Sequence, residues 1–207
     1  PEALNNYLLR LGWGHGDDEI ISREQAIEWF DIANVGKSPS RFDLKKLENL
    51  NGHYIREATD ERLVDLIASK LNLDATGRQH LLRAMPVLKA RAHNLDELAE
   101  GAGFLFSRRP LNLDEPAAAL LTADARALLS QAHNALEAVA EWSHDALEQA
   151  VREVAEREGV KLGKLAQPLR AALTGRTTSP GIFDVLVLLG KDESLGRIED
   201  QLLEPNE

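Results

Sequence analysis

The chain has no cysteine, few aromatic residues and no long apolar run. Without cysteine there can be no disulfide framework and no thiolate metal site, and this composition agrees with a reducing compartment, so we expect the cytoplasm. No apolar run reaches the roughly 18 residues that a membrane-spanning helix needs, so we expect no membrane partner. The 207 residues can still bury a sizeable core, in one large or two small domains.

Strand signals are equally scarce. Aromatic residues make up 5% of the chain, and no alternating run of Val, Ile and Thr stands between turn residues. Apolar residues recur instead every three or four positions, as at Leu4, Leu8 and Leu11. The sequence therefore predicts an all-α fold, a bundle or superhelical array of packed helices. Helix starts are predicted at residues that can cap a helix, namely Ser22 (with Gln25 in a capping box), Asp43, Thr59 and Thr122.

Two segments rich in turn residues interrupt the helical pattern, at 36–39 and at 107–116. The second separates two helical blocks and is the better domain boundary. Pro1 stands at a first-turn position of an amphipathic helix, where methionine would begin a complete chain. We therefore expect the sequence to be a segment of a longer protein.

Acidic residues are absent from two stretches of an otherwise acidic chain. The formal net charge is −10, which by itself argues against a nucleic-acid partner, and DNA is not expected. The stretch 159–183 carries Lys161, Lys164, Arg170 and Arg176, and the stretch 75–95 carries Arg78, Arg83, Lys89 and Arg91. Two local basic faces on an acidic body are predicted, and they allow a polyanionic partner.

Possible catalytic and metal-binding groups have structural interpretations. In Trp142–Asp145, neighbouring serine, histidine and aspartate project about 100° apart on a helix and cannot form a relay, so Ser143 is predicted to be an N-cap. The acids Asp17, Asp18 and Glu19 lack the ligand spacing of a calcium loop and fit a solvated turn. The histidines lack the spacing of a zinc site. No catalytic, cofactor-binding or metal-binding residue is predicted in this chain.

The stretch ALTGRTTSPGIFDVLVLLG (171–189) places a polar insert between two apolar helical segments. Gly175 fits a helix C-cap, Ser179 fits the next N-cap, and Pro180 fits the first position of the following helix. The insert lacks the glycine and lysine spacing of a phosphate-binding loop. Two interpretations remain, a plain helix–helix turn or a rigid loop whose hydroxyls and amides bind single-stranded RNA. The helix at 77–91 is similarly either a solvated face or an RNA contact through Arg83 and Arg91.

Four segments, taken in order, resemble the C-terminal part of bacterial glutamate–tRNA ligase, a class I aminoacyl-tRNA synthetase. These segments are PEALNNYLLRLGW, GHGDDEIIS, KSPSRFDLKKLENLNGHYIR and KLAQPLRAALTGRTTSPGIFDVLVLLG. The family has an upstream catalytic domain whose signatures hold ATP, and neither signature occurs in this chain. The resemblance implies that the longer protein uses ATP with magnesium to attach glutamate to tRNA-Glu, whereas this segment alone has no cofactor and no activity.

The resemblance also implies an organisation and a set of RNA contacts. Residues 1–55 resemble the end of the stem-contact region, and 56–112 and 113–207 resemble two helical anticodon-binding subdomains. The residues that match family contacts to anticodon bases are Arg170, Ser179, Pro180, Ile182 and, through a less direct alignment, Arg91. Supporting RNA contacts are expected from Arg176, Thr177, Arg83 and Lys164.

Three functions therefore stand beside one another at this point. The first is tRNA binding by part of a monomeric ligase, through the anticodon of tRNA-Glu alone or of both tRNA-Glu and tRNA-Gln. The second is a helical protein-interaction domain whose basic faces bind an acidic partner. The third is a free-standing hydrolase that uses Asp17, Asp18 or Glu19, for which the sequence offers little support.

Overall fold

The computed structural model describes residues 1–37 and 39–202. Ser38, in the turn segment at 36–39, and residues 203–207 lie outside the described residues. The described residues form α-helices and two short 3₁₀ helices and contain no strand, which confirms the all-α prediction. The α-helices are α1 (Glu2–Gly12), α2 (Arg23–Trp29), α3 (Leu44–Glu57), α4 (Asp60–Ile67), α5 (Ala75–Lys89), α6 (Leu95–Ala102), α7 (Glu115–Ala119), α8 (Ala123–Glu137), α9 (His144–Arg157), α10 (Leu162–Thr174), α11 (Ile182–Leu189) and α12 (Lys191–Leu202). The 3₁₀ helices are Ile32–Asn34 and Gly103–Phe106.

Side-chain caps fix the starts of several helices, as the sequence predicts. Ser22 and Gln25 form a reciprocal capping box at the start of α2, with hydrogen bonds of 2.9 and 3.1 Å. Asp43, Thr59 and Thr122 each accept a hydrogen bond from the amide three residues on, at the starts of α3, α4 and α8. These caps satisfy amides that have no partner within the helix, which is why polar residues mark the boundaries.

The N-terminal part of the fold is held by polar contacts as well as by packing. The side chain of Asn6 donates to the Glu19 carbonyl at 2.8 Å and accepts from the Ile21 amide at 3.2 Å. The Tyr7 hydroxyl accepts a hydrogen bond of 2.6 Å from the Asp43 amide, which joins α1 to the start of α3. The side chains of Asn6 and Tyr7 thus tie the segment between α1 and α3 to α1.

One contiguous apolar core runs from α3 to α12. Leu165, Leu169 and Leu173 of α10 are fully buried, as their helical spacing predicts. Helix α10 packs against α8, α9, α11 and α12, and α11 also contacts α5. Because α5 and α10 carry the two acid-free stretches, this packing brings both stretches to the same region of the molecule.

The described helices are also informative about membranes and about prolines. Within 1–37 and 39–202, no helix combines the length and the apolar character that a bilayer crossing needs. Pro86 lies inside α5 and Pro168 inside α10, and both helices continue past their prolines. Both proline-containing helices contribute to the surface described next.

Candidate nucleic-acid interface

The chain turns sharply between α10 and α11, and we call residues 174–181 the α10–α11 corner. Gly175 ends α10 in the left-handed region, with φ of +73°, and its amide donates to the Ala171 carbonyl at 2.9 Å. A Cβ at this position would lie 2.7 Å from the Asn112 carbonyl oxygen. Both the backbone angle and the close approach require glycine, so the predicted C-cap is confirmed.

Hydrogen bonds then fix the first half of this corner. The Thr174 hydroxyl donates to the Arg170 carbonyl at 2.8 Å and lies 3.3 Å from the Arg176 amide. The Gly175 carbonyl accepts from the Asp114 amide at 3.0 Å, which ties the corner to the start of α7. The turn is therefore held from within and from a neighbouring segment.

The second half of the corner differs from the sequence prediction. Helix α11 begins at Ile182, with Gly181 as its N-cap, so the prediction of Ser179 as N-cap and Pro180 as first helical residue is wrong. The Ser179 hydroxyl donates locally to the Pro180 carbonyl at 2.8 Å and makes no cap hydrogen bond. The carboxylate of Asp184 lies beside Gly181 instead, where a Cβ would collide with it. An acidic group in the first turn compensates the helix N-terminus that Ser179 leaves uncapped.

Two arginines from the separate acid-free stretches meet at this corner. Arg91, just after α5, donates from Nη1 to the Ser179 carbonyl at 3.1 Å. Burial, and after it the neighbouring charge of Arg91, lower the pKa of Arg170. The buried Nε of Arg170 has no hydrogen-bond partner among the described residues. Among the described residues, neither guanidinium has a carboxylate oxygen within 4.0 Å. Arg62, Arg109 and Arg152, by contrast, each form an ion pair.

An open cavity of about 500 Å³ lies beside the corner. Its walls are the corner on one side and the turn at 103–107 on the other, where the 3₁₀ helix leads into Ser107. Arg176 lines this cavity, is exposed, and stands 4.0 Å from the Glu100 carboxylate. Thr177 is half-buried in the same loop. Charged, hydroxyl and backbone groups are therefore concentrated around one recess.

The remaining predicted contact residues occupy different positions. Pro180 is buried, and Ile182 is 6% exposed and belongs to the core, so both lie beneath the corner. Arg83 on α5 and Lys164 in the first turn of α10 are exposed. Lys164 precedes Arg170 by six residues, or about 9 Å along a helix axis. These two basic residues could contact RNA only as extensions of the surface around Arg91 and Arg170.

The residues of the other candidate sites have local hydrogen-bond partners. The Trp142 indole donates to the Leu186 carbonyl at 2.8 Å, and Ser143 is the N-cap residue of α9, although its side chain makes no cap hydrogen bond. His15 pairs with Asp18 at 2.9 Å within a turn. No group of three or more histidine and acidic side chains suited to a metal ion occurs within the described ranges.

Sequence reasoning does not identify two arginines that hold the recess together. Arg197 of α12 is buried and binds the carbonyls of Phe104 and Ser107 in the turn and of Leu173, the residue before the corner. Arg109 forms a two-point ion pair with Asp200. Arg197 stands four residues after Glu193, a spacing typical of an exposed helix pair. A sequence pattern of this kind gives no sign of burial.

The fold and this surface together define an all-α domain with a basic corner, at which Arg91 and Arg170 have no ion-pair partner among the described residues. The chain matches the family described as "Anticodon binding domain" over residues 44–202, and it belongs to that family.

Curated relatives and solved structures extend the comparison over nearly the whole chain. The chain is 67% identical to glutamate–tRNA ligase 2 of Rhizorhabdus wittichii over 207 residues, which cover 97% of the chain and 44% of the relative. It is 60% identical to glutamate–tRNA ligase 2 of Zymomonas mobilis, covering 98% and 43%. A crystal structure of a glutamate tRNA ligase from Elizabethkingia meningosepticum in complex with its amino acid superposes with a TM-score of 0.83 at 25% identity, covering 98% of this chain and 41% of that one. The chain thus spans less than half the length of these relatives.

Proposed function

We propose that this chain reads the anticodon of tRNA-Glu as the anticodon-binding region of a glutamate–tRNA ligase. The observation that carries this proposal is the contact of Arg91 with Ser179 at the corner, where the carbonyl of the half-buried Arg170 accepts a hydrogen bond from Thr174. Membership of the anticodon-binding family, and the similarity to glutamate–tRNA ligases, support it over an acidic protein partner. In the longer protein, ATP with magnesium would activate glutamate in a region outside this chain.

The arginine pair is suited to binding an electron-rich partner. Arg170 is half-buried, its Nε has no partner, and a second positive charge stands beside it. An acceptor oxygen or nitrogen of a base, or a phosphate oxygen, placed at the guanidinium groups would relieve the like-charge repulsion. Charge-assisted hydrogen bonds of this kind contribute about 1.5–3 kcal/mol each. Base edges give arginine a two-point acceptor, which links this attraction to base identity.

The rigidity of the corner supports base recognition over nonspecific phosphate binding. Gly175, Thr174 and the carbonyl contact from Arg91 to Ser179 hold the loop before any ligand arrives. A preordered loop loses little conformational entropy on binding, so more of its contact energy is available for discrimination. The acidic remainder of the chain would repel RNA that does not reach these contacts.

Other features of the proposal follow from the longer protein. We propose that 1–55 contacts the tRNA stem, that 56–112 and 113–207 are the two anticodon-binding subdomains, and that the ligase acts as a monomer in the cytoplasm. We propose that the residues of this chain by themselves neither bind ATP nor charge tRNA, since neither ATP-binding signature occurs among them. The third anticodon base would determine whether tRNA-Gln also binds.

A fluorescence titration tests the proposal. Labelled tRNA-Glu transcript, the same transcript with a changed anticodon, and tRNA-Gln are each titrated at several salt concentrations. We expect tRNA-Glu to bind most tightly and Arg170→Ala to remove most of that preference. Arg152→Ala is the matched control, because Arg152 is an exposed arginine on α9 that pairs with Glu148. Equal binding of all three transcripts by the wild-type chain would refute the proposal.

A further inference from the structure

Arg197 is a charged side chain that lies inside the core. It is 1% exposed, and its guanidinium makes four hydrogen bonds. Nε donates to the Glu193 carboxylate at 2.6 Å, and Nη2 donates to the Ser107 carbonyl at 3.0 Å. Nη1 donates to the carbonyls of Phe104 at 2.9 Å and Leu173 at 2.7 Å. One side chain of α12 therefore binds three backbone oxygens from two other parts of the chain.

These carbonyls need a partner because of where they stand. Leu173 belongs to the last turn of α10, where carbonyls have no amide four residues on. Phe104 and Ser107 belong to the turn at 103–107, at the end of a short 3₁₀ helix. Carbonyls at helix ends carry partial negative charge and favour a cation. The planar guanidinium can serve several of them at fixed angles, which a lysine ammonium cannot do.

The same carbonyls flank the two walls of the recess. Phe104 and Ser107 line the cavity of about 500 Å³ from the turn at 103–107. Leu173 directly precedes Thr174 and Gly175, which line it from the α10–α11 corner. Arg197 thus links the turn at 103–107 to Leu173, the residue that directly precedes the α10–α11 corner.

A second contact from α12 holds the chain just after the turn at 103–107. Arg109 forms a two-point ion pair with Asp200, with both hydrogen bonds at 2.8 Å. The Arg109 guanidinium lies against Gly196, where a Cβ would overlap it. Helix α12 thus uses a glycine and two arginine contacts to hold the segment at 103–109.

We propose that Arg197 is a positioning residue for anticodon recognition, because it sets the spacing between the turn at 103–107 and the α10–α11 corner. This inference rests on the proposed function. Arg197 is buried behind the recess and acts through the backbone that it binds, without touching RNA.

Arg197→Lys and Arg197→Met test this role through discrimination between anticodons. Lysine keeps the positive charge but loses the planar fork, and methionine loses both. Both variants are titrated with tRNA-Glu and with the changed-anticodon transcript, well below their unfolding midpoints. We expect the affinity ratio between the two transcripts to fall by at least about tenfold, because a misplacement of about 1 Å is enough to lose oriented contacts. The control Arg152→Lys should keep the wild-type ratio.

A distance measurement examines the same inference without RNA. Because the chain has no cysteine, Arg108→Cys, directly after the turn at 103–107, and Thr178→Cys, in the α10–α11 corner, give two unique and exposed spin-label sites. We expect Arg197→Lys to broaden or shift the distance distribution, and Arg152→Lys to leave it unchanged.

These two measurements decide the inference in every case. Folded Arg197 variants that keep the affinity ratio within about twofold, the scatter expected of an uncoupled site, would overturn it. An unchanged distance distribution would also overturn it. If neither variant folds, Arg197 is only a core residue and the inference is wrong. A wild-type chain that ignores the anticodon would refute the proposed function instead, and the distance measurement would still report on Arg197.

Discussion

Arg91 donates a hydrogen bond to the carbonyl of Ser179, two residues that are 88 positions apart in the sequence. The contact joins the end of α5 to the α10–α11 corner and places the charge of Arg91 beside Arg170. Two neighbouring arginines without a carboxylate partner repel each other, and this repulsion lowers the stability of the free protein. Such a cost is expected where a ligand supplies the missing acceptor.

The first prediction concerns Arg170. We expect Arg170→Ala to weaken binding of tRNA-Glu by about 1–3 kcal/mol, or about 5- to 150-fold, and to reduce anticodon preference. The unfolding midpoint should stay the same or rise, because the substitution removes a partly buried charge and its repulsion from Arg91. Titration and thermal circular dichroism measure the two effects. A loss of helix content would identify Arg170 as a structural residue and contradict the prediction.

The second prediction is that Arg91 and Arg170 act together. Each single alanine variant should weaken tRNA binding, and the double variant should lose less than the sum of the two losses. The expected interaction energy is about 0.5–3 kcal/mol, because the residues share one corner and one ligand. A double-mutant cycle with tRNA-Glu measures it. Strict additivity would show that the two guanidinium groups bind independently.

The third prediction concerns the backbone of the corner. Gly175→Ala should lower the free energy of unfolding by at least about 1 kcal/mol, because alanine is strained at positive φ. Its Cβ would also press on the Asn112 carbonyl, at 2.7 Å. Urea unfolding measures the change. Gly163→Ala in the first turn of α10 is the control, since a Cβ there meets nothing within 4 Å, and it should not destabilise the protein.

The fourth prediction separates the role of Ser179 from that of a helix cap. Ser179→Ala should change the free energy of unfolding by less than about 0.5 kcal/mol, because the hydroxyl bonds only the adjacent Pro180 carbonyl. Thr122→Ala, which removes an observed cap at 3.3 Å, should cost about 1 kcal/mol. Urea unfolding of both variants provides the comparison. Anticodon preference should fall in Ser179→Ala and remain in Thr122→Ala, and the opposite pattern would exclude Ser179 from RNA contact.

The fifth prediction is a pH dependence of stability. The hydrogen bonds from Arg109 hold the pKa of the Asp200 carboxyl below its ordinary value of 3.8. A lowered folded-state pKa means that this stabilisation is fully present above pH 3.8 and is lost as the pH falls through the folded value. Urea unfolding at a series of acidic pH values should therefore show a smaller acid-induced loss for Asp200→Asn than for the wild type. Parallel curves for the two proteins would mean that the ion pair does not contribute.

The sequence predicts the helices better than the surface they build. Caps such as Asp43 and Gly175 are local devices, so residue type and spacing are enough to place them. Ser179 and Pro180 carry the same local signal, but Gly181 and Asp184 provide a competing start for α11 two residues later. A local sequence pattern does not distinguish two possible helix N-caps that lie two residues apart, such as Ser179 and Gly181.

The site depends on contacts between distant segments, and these are harder to predict. Charge distribution marks the stretches that contain Arg91 and Arg170, but only the resemblance to a family places them together. The burial of Arg197 cannot be predicted from the sequence, because its helical spacing from Glu193 is that of an ordinary surface ion pair. Its burial follows from the packing of α12 against α10 and α8.

The central claim is that the corner formed by Arg91, Arg170 and Ser179 reads an anticodon. The most direct test compares the affinity of wild-type and Arg170→Ala chains for tRNA-Glu and for the same transcript with a changed anticodon. We predict that the wild type prefers the native anticodon and that Arg170→Ala, still folded, loses most of that preference. An identical preference in the two proteins, or none in the wild type, would contradict the claim.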